Sequence, residues 1–164
     1  MKGLYPIPSL EPLDPAPGAD VDASAVTAIL VTEDGRFLLQ LRDDIPGILL
    51  PGHWACFGGH LDSSDEAPEA ALRRELQEEL AYDPAQVHWL TECISAMPRP
   101  TRRRVHYRWF VVPLPLADLP KLVLNEGAGM RLFTLDELLA LPKVSPVDVM
   151  AILMYARNGT LFPA

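Results

Sequence analysis

Gly58-Gly59-His60-Leu61-Asp62-Ser63-Ser64-Asp65-Glu66-Ala67-Pro68, continued by Glu69-Ala70-Ala71-Leu72-Arg73-Arg74-Glu75-Leu76-Gln77-Glu78-Glu79-Leu80, is the stretch from which the fold is read. A glycine pair closes a short extended segment, a polar run follows, and Pro68 stands where a first-turn proline is tolerated. Leu72, Leu76 and Leu80 then recur every fourth residue, so the spacing predicts a helix over 68–80 with one buried stripe. Beside that stripe lie Glu75, Glu78 and Glu79. Neighbours three and four apart share a helix face, and like charges there repel by roughly 0.2–0.5 kcal/mol per pair. A cation would reverse the sign of that interaction. Hard carboxylate oxygens without a His or Cys cluster suit Mg²⁺ or Mn²⁺ better than zinc.

Working outward, the residues before the glycine pair read as strands. Residues 25–31 are apolar and β-branched, Asp34-Gly35 is a hairpin turn, 37–41 returns as a second strand, and 54–59 is a third. After the helix, further strands are expected over 87–97, 105–112 and 130–133. Thr134 with Glu137 and Ser145 with Asp148 both have capping-box spacing, Pro142 separates the two helices they begin, and Gly159 is placed to end the second. The alternation predicts an α/β (α+β) fold: a mixed sheet with helices against it. Residues 1–24, with Pro6, Pro8, Pro12, Pro15 and Pro17, form a proline-rich arm ahead of one domain over 25–164.

Whole-chain properties narrow the function. An apolar share of 49% in 164 residues is enough to fill one ordinary core. The net charge of -8 argues against a stable nucleic-acid partner held over the whole surface, which needs a Lys and Arg excess. Cys56 and Cys93 lack metal or disulfide spacing, and neither a bilayer-spanning run nor a signal peptide is present, so no membrane partner and a cytoplasmic location are expected.

The glycine pair, Glu66, and Arg74-Glu75-Leu76-Gln77-Glu78-Glu79 together resemble the Nudix box, written Gly, five residues, Glu, seven residues, Arg-Glu-apolar-x-Glu-Glu-x-Gly-apolar. Seven residues separate Glu66 from Arg74, as in the family, but six separate Gly59 from Glu66. Either the loop is one residue longer or Asp65 shares the role of Glu66. Ala81 replaces the glycine after the glutamates, which removes the easiest left-handed helix stop. Trp54 before Phe57-Gly58-Gly59, and Asn125-Glu126-Gly127 before Phe133-Thr134-Leu135, are similar to other parts of Nudix domains, so the likeness extends over 25–142.

The resemblance implies a Nudix-like α/β/α sandwich. It also implies Mg²⁺-dependent hydrolysis of a phosphoanhydride bond in a nucleoside diphosphate linked to another group, such as a nucleotide sugar or a nucleoside triphosphate. Glu75, Glu78, Glu79 and the carbonyl of Gly59 would hold the metal. Gly58, Glu66 and Arg74 would shape the motif. The catalytic set is Glu75, Glu78 and Glu126, with Glu75 and Glu126 as alternative general bases; for Glu126 a plain turn residue is an equal reading. Arg42, Phe57 and Arg104 are candidate substrate contacts, since arginines grip phosphate and aromatics stack on bases. Arg104 belongs to a run in which Arg102, Arg104, His106 and Arg108 would share a strand face, and charge on an edge strand explains that run as well. Aromatics such as Phe57 are more often core. A Nudix-fold nucleotide-binding or regulatory module without hydrolysis is the alternative. The proline-rich arm could pack across a homodimer.

Overall fold

The computed structural model describes residues 21–96 and 103–161. Nearly all of the proline-rich arm, together with Arg99 and Arg102, lies outside them. The described elements run β1 Ala23–Thr32, β2 Phe37–Leu41, β3 Trp54–Ala55, β4 Phe57–His60, α1 Pro68–Leu80, β5 His88–Ala96, β6 Arg104–Leu114, a 3-10 turn Leu116–Lys121, β7 Gly129–Phe133, α2 Leu135–Leu139 and α3 Pro146–Leu161.

The seven described strands form one mixed sheet built around β1. One flank of β1 runs parallel to β6 over its whole length, from Ala23 beside Val105 to Thr32 beside Leu114. The other flank is shared. Leu30 and Val31 pair with Leu38 and Phe37 of β2, whereas the residues from Ala25 to Ala28 pair with β4. β1 and β2 therefore part company, and the segment 54–60 fills the wedge, with β3 leaning on β2 and β4 on β1. That wedge positions the site.

Each face of the sheet carries a helical layer. On one, Leu72, Leu76 and Leu80 of α1 pack against Val26, Ala28, Leu30, Phe57, Phe110 and Val112. On the other, Leu138, Ala151 and Ile152 of α2 and α3 cover Ile29, Leu39, Trp109 and Phe133. Alternation along β1 sends odd residues to one layer and even residues to the other, as a two-residue period requires. The sandwich expected from the resemblance is present. Among the described residues no helix is long and apolar enough to cross a membrane.

Several boundaries differ from expectation for identifiable reasons. β6 is an interior strand between β1 and β5, so Arg104, His106 and Arg108 are not edge-strand charge. The helix α3 continues past Gly159 to Leu161; a helical glycine costs only about 1 kcal/mol relative to alanine. Thr134 and Glu137 form their capping box. Ser145 and Asp148 meet differently: the Ser145 peptide N–H donates to the carbonyl of Trp54 at 2.8 Å, and the Asp148 carboxyl, buried in the core, accepts the Ser145 hydroxyl. Ala81 takes the left-handed conformation, φ 51°, that the usual glycine would adopt without strain, and its N–H still donates to Gln77 O at 3.0 Å.

Candidate active site

In the wedge, the peptide N–H groups of Cys56 and Gly58 are taken by side chains instead of by a neighbouring strand. Gly58 N–H donates to Glu79 Oε2 at 2.8 Å. Glu79 is thus drawn from the last turn of α1 into the sheet, where it is 5% exposed. Its other oxygen, Oε1, accepts from Gln40 Nε2 at 3.3 Å. Gly58 has φ +135°, and a Cβ there would collide with the carbonyl of Val26, so only glycine lets β4 lie this close to β1. One residue on, a Cβ at Gly59 would come within 2.5 Å of the Glu75 carboxylate. Gly58 thus lets β4 close on β1 and offers its N–H to Glu79, while Gly59 makes room for Glu75 of the same helix.

Arg74 organises the approach to them. Its guanidinium donates through Nε to Glu66 Oε1 at 3.1 Å, through Nη2 to the carbonyl of His60 at 3.0 Å, and through Nη1 to Glu75 Oε1 at 2.9 Å. Glu66 in turn accepts the Asp62 N–H at 2.7 Å. Bonds to Arg74 and to that N–H hold the Glu66 carboxyl below the usual range. The longer loop is therefore pinned by Glu66, and Asp65 only touches Ser64 Oγ at 3.4 Å. Glu78 is more exposed, with a weak 3.5 Å contact to Arg74.

The loop carrying Glu126 is tied to the same helix. Asn125 N–H donates to Glu79 O at 2.9 Å, its side-chain amide donates to Glu78 O at 2.9 Å, and Ala128 N–H donates to Leu41 O at 2.8 Å. Gly127 passes so close to Leu41 O that a Cβ would sit at 3.0 Å from it. Glu126 is exposed yet near enough to push up both Glu75 and Glu79. Burial is the larger cause in each case. It raises Glu79 to about 7, against the pull of Gly58 N–H and Gln40, and raises Glu75 against the pull of Arg74.

Crowded carboxylates that raise one another are what a divalent cation would relieve, and their hard oxygens fit Mg²⁺ or Mn²⁺ in kind. Among the described residues no three acidic, imidazole or thiol side chains already converge into a cage. The reason is visible in the hydrogen bonds: Glu75 is turned to Arg74 and Glu79 to Gln40 and Gly58. Arg74 engages Oε1 of Glu75, so that oxygen is the one already committed.

The other expected residues are dispersed. Phe57 is fully buried between α1 and the sheet, so its ring has no free face for a base and belongs to the core. Arg42 is half-buried just past the end of β2, donates through Nε to Leu49 O at 2.7 Å, and lies near Tyr107 and Asp148, which burial raises and its charge partly offsets. Register places Gly59, Val26 and Arg108 in one row across the sheet. Arg104 lies four residues from that row, roughly 13 Å along the strand, with its peptide N–H bonded to the Asp22 carboxylate at 2.6 Å. The structure does not bring Arg104 to the carboxylates. His106 and Arg108 instead meet Glu92 at 2.8 and 3.5 Å.

Gln40 was not singled out from the sequence, and Asn125 and Asp148 were read there only as part of a motif and of a capping-box spacing, not for the bonds they make at the wedge. A lone Gln inside Phe37-Leu38-Leu39-Gln40-Leu41 is the one local signal, since a polar side chain in a buried strand needs partners.

Comparison with known proteins places this geometry. The RNA pyrophosphohydrolase of Gluconacetobacter diazotrophicus is 42% identical over 79 residues, 43% of this chain and 47% of that protein. The nucleoside triphosphatase NudI of Escherichia coli is 45% identical over 51 residues, 31% of this chain and 35% of that protein. The chain thus spans less than half the length of these curated relatives. Among solved structures, the MutT protein of Methanosarcina mazei superposes with a TM-score of 0.70 at 19% identity, covering 84% of this chain and 94% of that one. The NUDIX domain of Shewanella oneidensis NrtR, solved with ADP ribose, gives 0.69 at 20% identity, covering 85% and 90%. Those two likenesses speak to the fold. The NUDIX domain family model matches residues 22–151, most of the chain and every carboxylate described above, and the protein belongs to that family.

Proposed function

We propose that the protein is a Mg²⁺- or Mn²⁺-dependent pyrophosphohydrolase that cleaves a phosphoanhydride bond in a nucleoside diphosphate linked to another group. The observation that carries this reading is the meeting of Glu75 and Glu79 at the Gly58-Gly59 pair, with Glu126, on the loop that Asn125 ties to α1, near enough to act on both. Glu75, Glu78, Glu79 and the carbonyl of Gly59 would hold the metal. When bound, a divalent ion neutralises diphosphate oxygens and lowers the pKa of a water beside phosphorus. Glu126 or Glu75 then accepts the proton of the attacking water; a new P–O bond forms as the bridging P–O bond breaks and the second phosphate leaves. Arg42, just past the end of β2, is a candidate to hold a substrate phosphate once it exchanges its bond to Leu49. The reactions named for the two curated relatives, an RNA pyrophosphohydrolase and a nucleoside triphosphatase, are of this same chemical class.

The test is a panel of nucleotide sugars, nucleoside triphosphates and dinucleoside polyphosphates, incubated with Mg²⁺ or Mn²⁺ and with a chelator, and assayed for released nucleotide. Metal-dependent turnover of at least one compound is expected; none across the panel would overturn the proposal. One observation favours a second reading, a nucleotide-binding module without hydrolysis: Glu75 is engaged by Arg74 at 2.9 Å. That reading expects calorimetric binding of a panel compound without turnover.

A further inference from the structure

Gln40 is 4% exposed in the middle of β2, where an unsatisfied carboxamide would be costly. Its Nε2 donates to Glu79 Oε1 and to the carbonyl of Cys56, each at 3.3 Å. Its Oε1 lies 3.1 Å from the position a Cβ on Gly127 would take. The same amide therefore touches α1, the strand segment 54–60 and the loop that carries Glu126. Glu79 is gripped at both oxygens, by Gln40 on one and by Gly58 N–H on the other, and each oxygen keeps a lone pair for a further partner.

We propose that Gln40 is a positioning residue for divalent-cation binding, its amide fixing the rotamer of Glu79 and the approach of the Glu126 loop. The chemistry accounts for the residue type. A lysine or arginine here would occupy Glu79 with a fixed positive charge and compete with a metal ion. An apolar side chain would leave Glu79 held by Gly58 alone, free to swing away. The inference rests on the metal-dependent reading above.

Direct titration of the metal-free protein with Mn²⁺, followed by the electron paramagnetic resonance of the free ion, tests it without any substrate. Gln40→Met, similar in length but with no donor, is expected to weaken Mn²⁺ binding about tenfold, the size of one hydrogen bond to a charged group. The Mg²⁺ concentration for half-maximal activity should rise by a similar factor while KM for substrate at saturating metal stays within about twofold. Thermal melting of the metal-free variant checks folding. Should Gln40→Met not fold, Gln40→Asn keeps an amide in the slot but withdraws it by about 1.5 Å, and the same weakening is expected. Wild-type protein that binds Mn²⁺ no better than a folded variant overturns the role of Gln40 alone. Wild-type protein that binds no Mn²⁺ overturns this inference and the metal-dependent function together.

Discussion

Two helices on opposite faces of the sheet each send a buried carboxylate into the same wedge, and the two carboxylates differ in kind. From α3, Asp148 accepts the Cys56 N–H and the Trp109 Nε1–H, both at 3.1 Å, together with the hydroxyl of Ser145. From α1, Glu79 accepts the Gly58 N–H, two residues along the same strand segment, and one bond from Gln40. Burial pushes both carboxyls up. The neighbours separate them. The charged group felt by Asp148 is Arg42, which lowers it, whereas Glu79 faces Glu75 and Glu126, which raise it further. A buried acid held by donors beside a cationic side chain is a structural clamp; one whose charged neighbours are other acids is what a bound cation would stabilise.

The comparison breaks most decisively at Glu79. Glu79→Gln keeps the volume and removes the charge, and steady-state kinetics should show kcat falling by about 100-fold or more with the fold intact. Retention of even a tenth of the activity would move Glu79 into the class of Asp148. The converse substitution, Asp148→Ala, strands the Trp109 and Cys56 N–H groups, and chemical denaturation should register a loss of about 4 kcal/mol. Folded Asp148→Ala protein should keep kcat within a few-fold.

Proton linkage sharpens the same contrast. Glu79 stands near 7 in the folded protein against 4.5 for a free glutamate, so the folded state holds its proton more tightly than the unfolded state does. This group therefore costs nothing below about pH 4.5 and removes stability as pH rises toward 7, by at most about 3 kcal/mol in metal-free protein. Denaturation midpoints measured from pH 5 to 8 should fall along that window. The slope should flatten in Glu79→Gln and in wild-type protein saturated with Mg²⁺. An unchanged slope in Glu79→Gln would assign the dependence to another group. The smallest effect is expected at Ala81, outside the wedge. Ala81→Gly relieves the left-handed strain at φ 51°, and should stabilise the protein by about 1 kcal/mol without altering kcat.

The helix α1, with its proline start and leucine stripe, was legible because a 3.6-residue period and a first-turn proline are local properties. So were the strands around it, to within a residue or two. The pinning of the loop by Glu66 and Arg74 followed from their spacing to a known motif. The wedge was not legible, because which strand lies beside β4 depends on partners far away in the chain. Phe57 illustrates the cost: its position next to the glycine pair suggested a ligand contact, while its depth depends on Leu72 and Leu76 arriving from α1. Asp148 sat at a capping-box spacing, yet the Ser145 N–H goes to Trp54 O and the acid accepts from Cys56 and Trp109, partners that lie far off in the chain. Gln40 carried a signal, a polar residue in an apolar strand, but nothing in β2 alone says that it points at Glu79.

The long parallel seam between β1 and β6 has a kinetic consequence. Its ten paired positions join segments about eighty residues apart, so the chain must close a large loop before the central seam gives any return, which places folding in the slower millisecond-to-second regime. During synthesis on the ribosome, β1, β2 and β4 all emerge before β6, leaving one flank of the first strand unpaired for several seconds at about 5–20 residues per second. An exposed apolar strand of that kind is a natural client for a chaperone, and refolding yield should fall with protein concentration more steeply than the size of the chain alone would suggest.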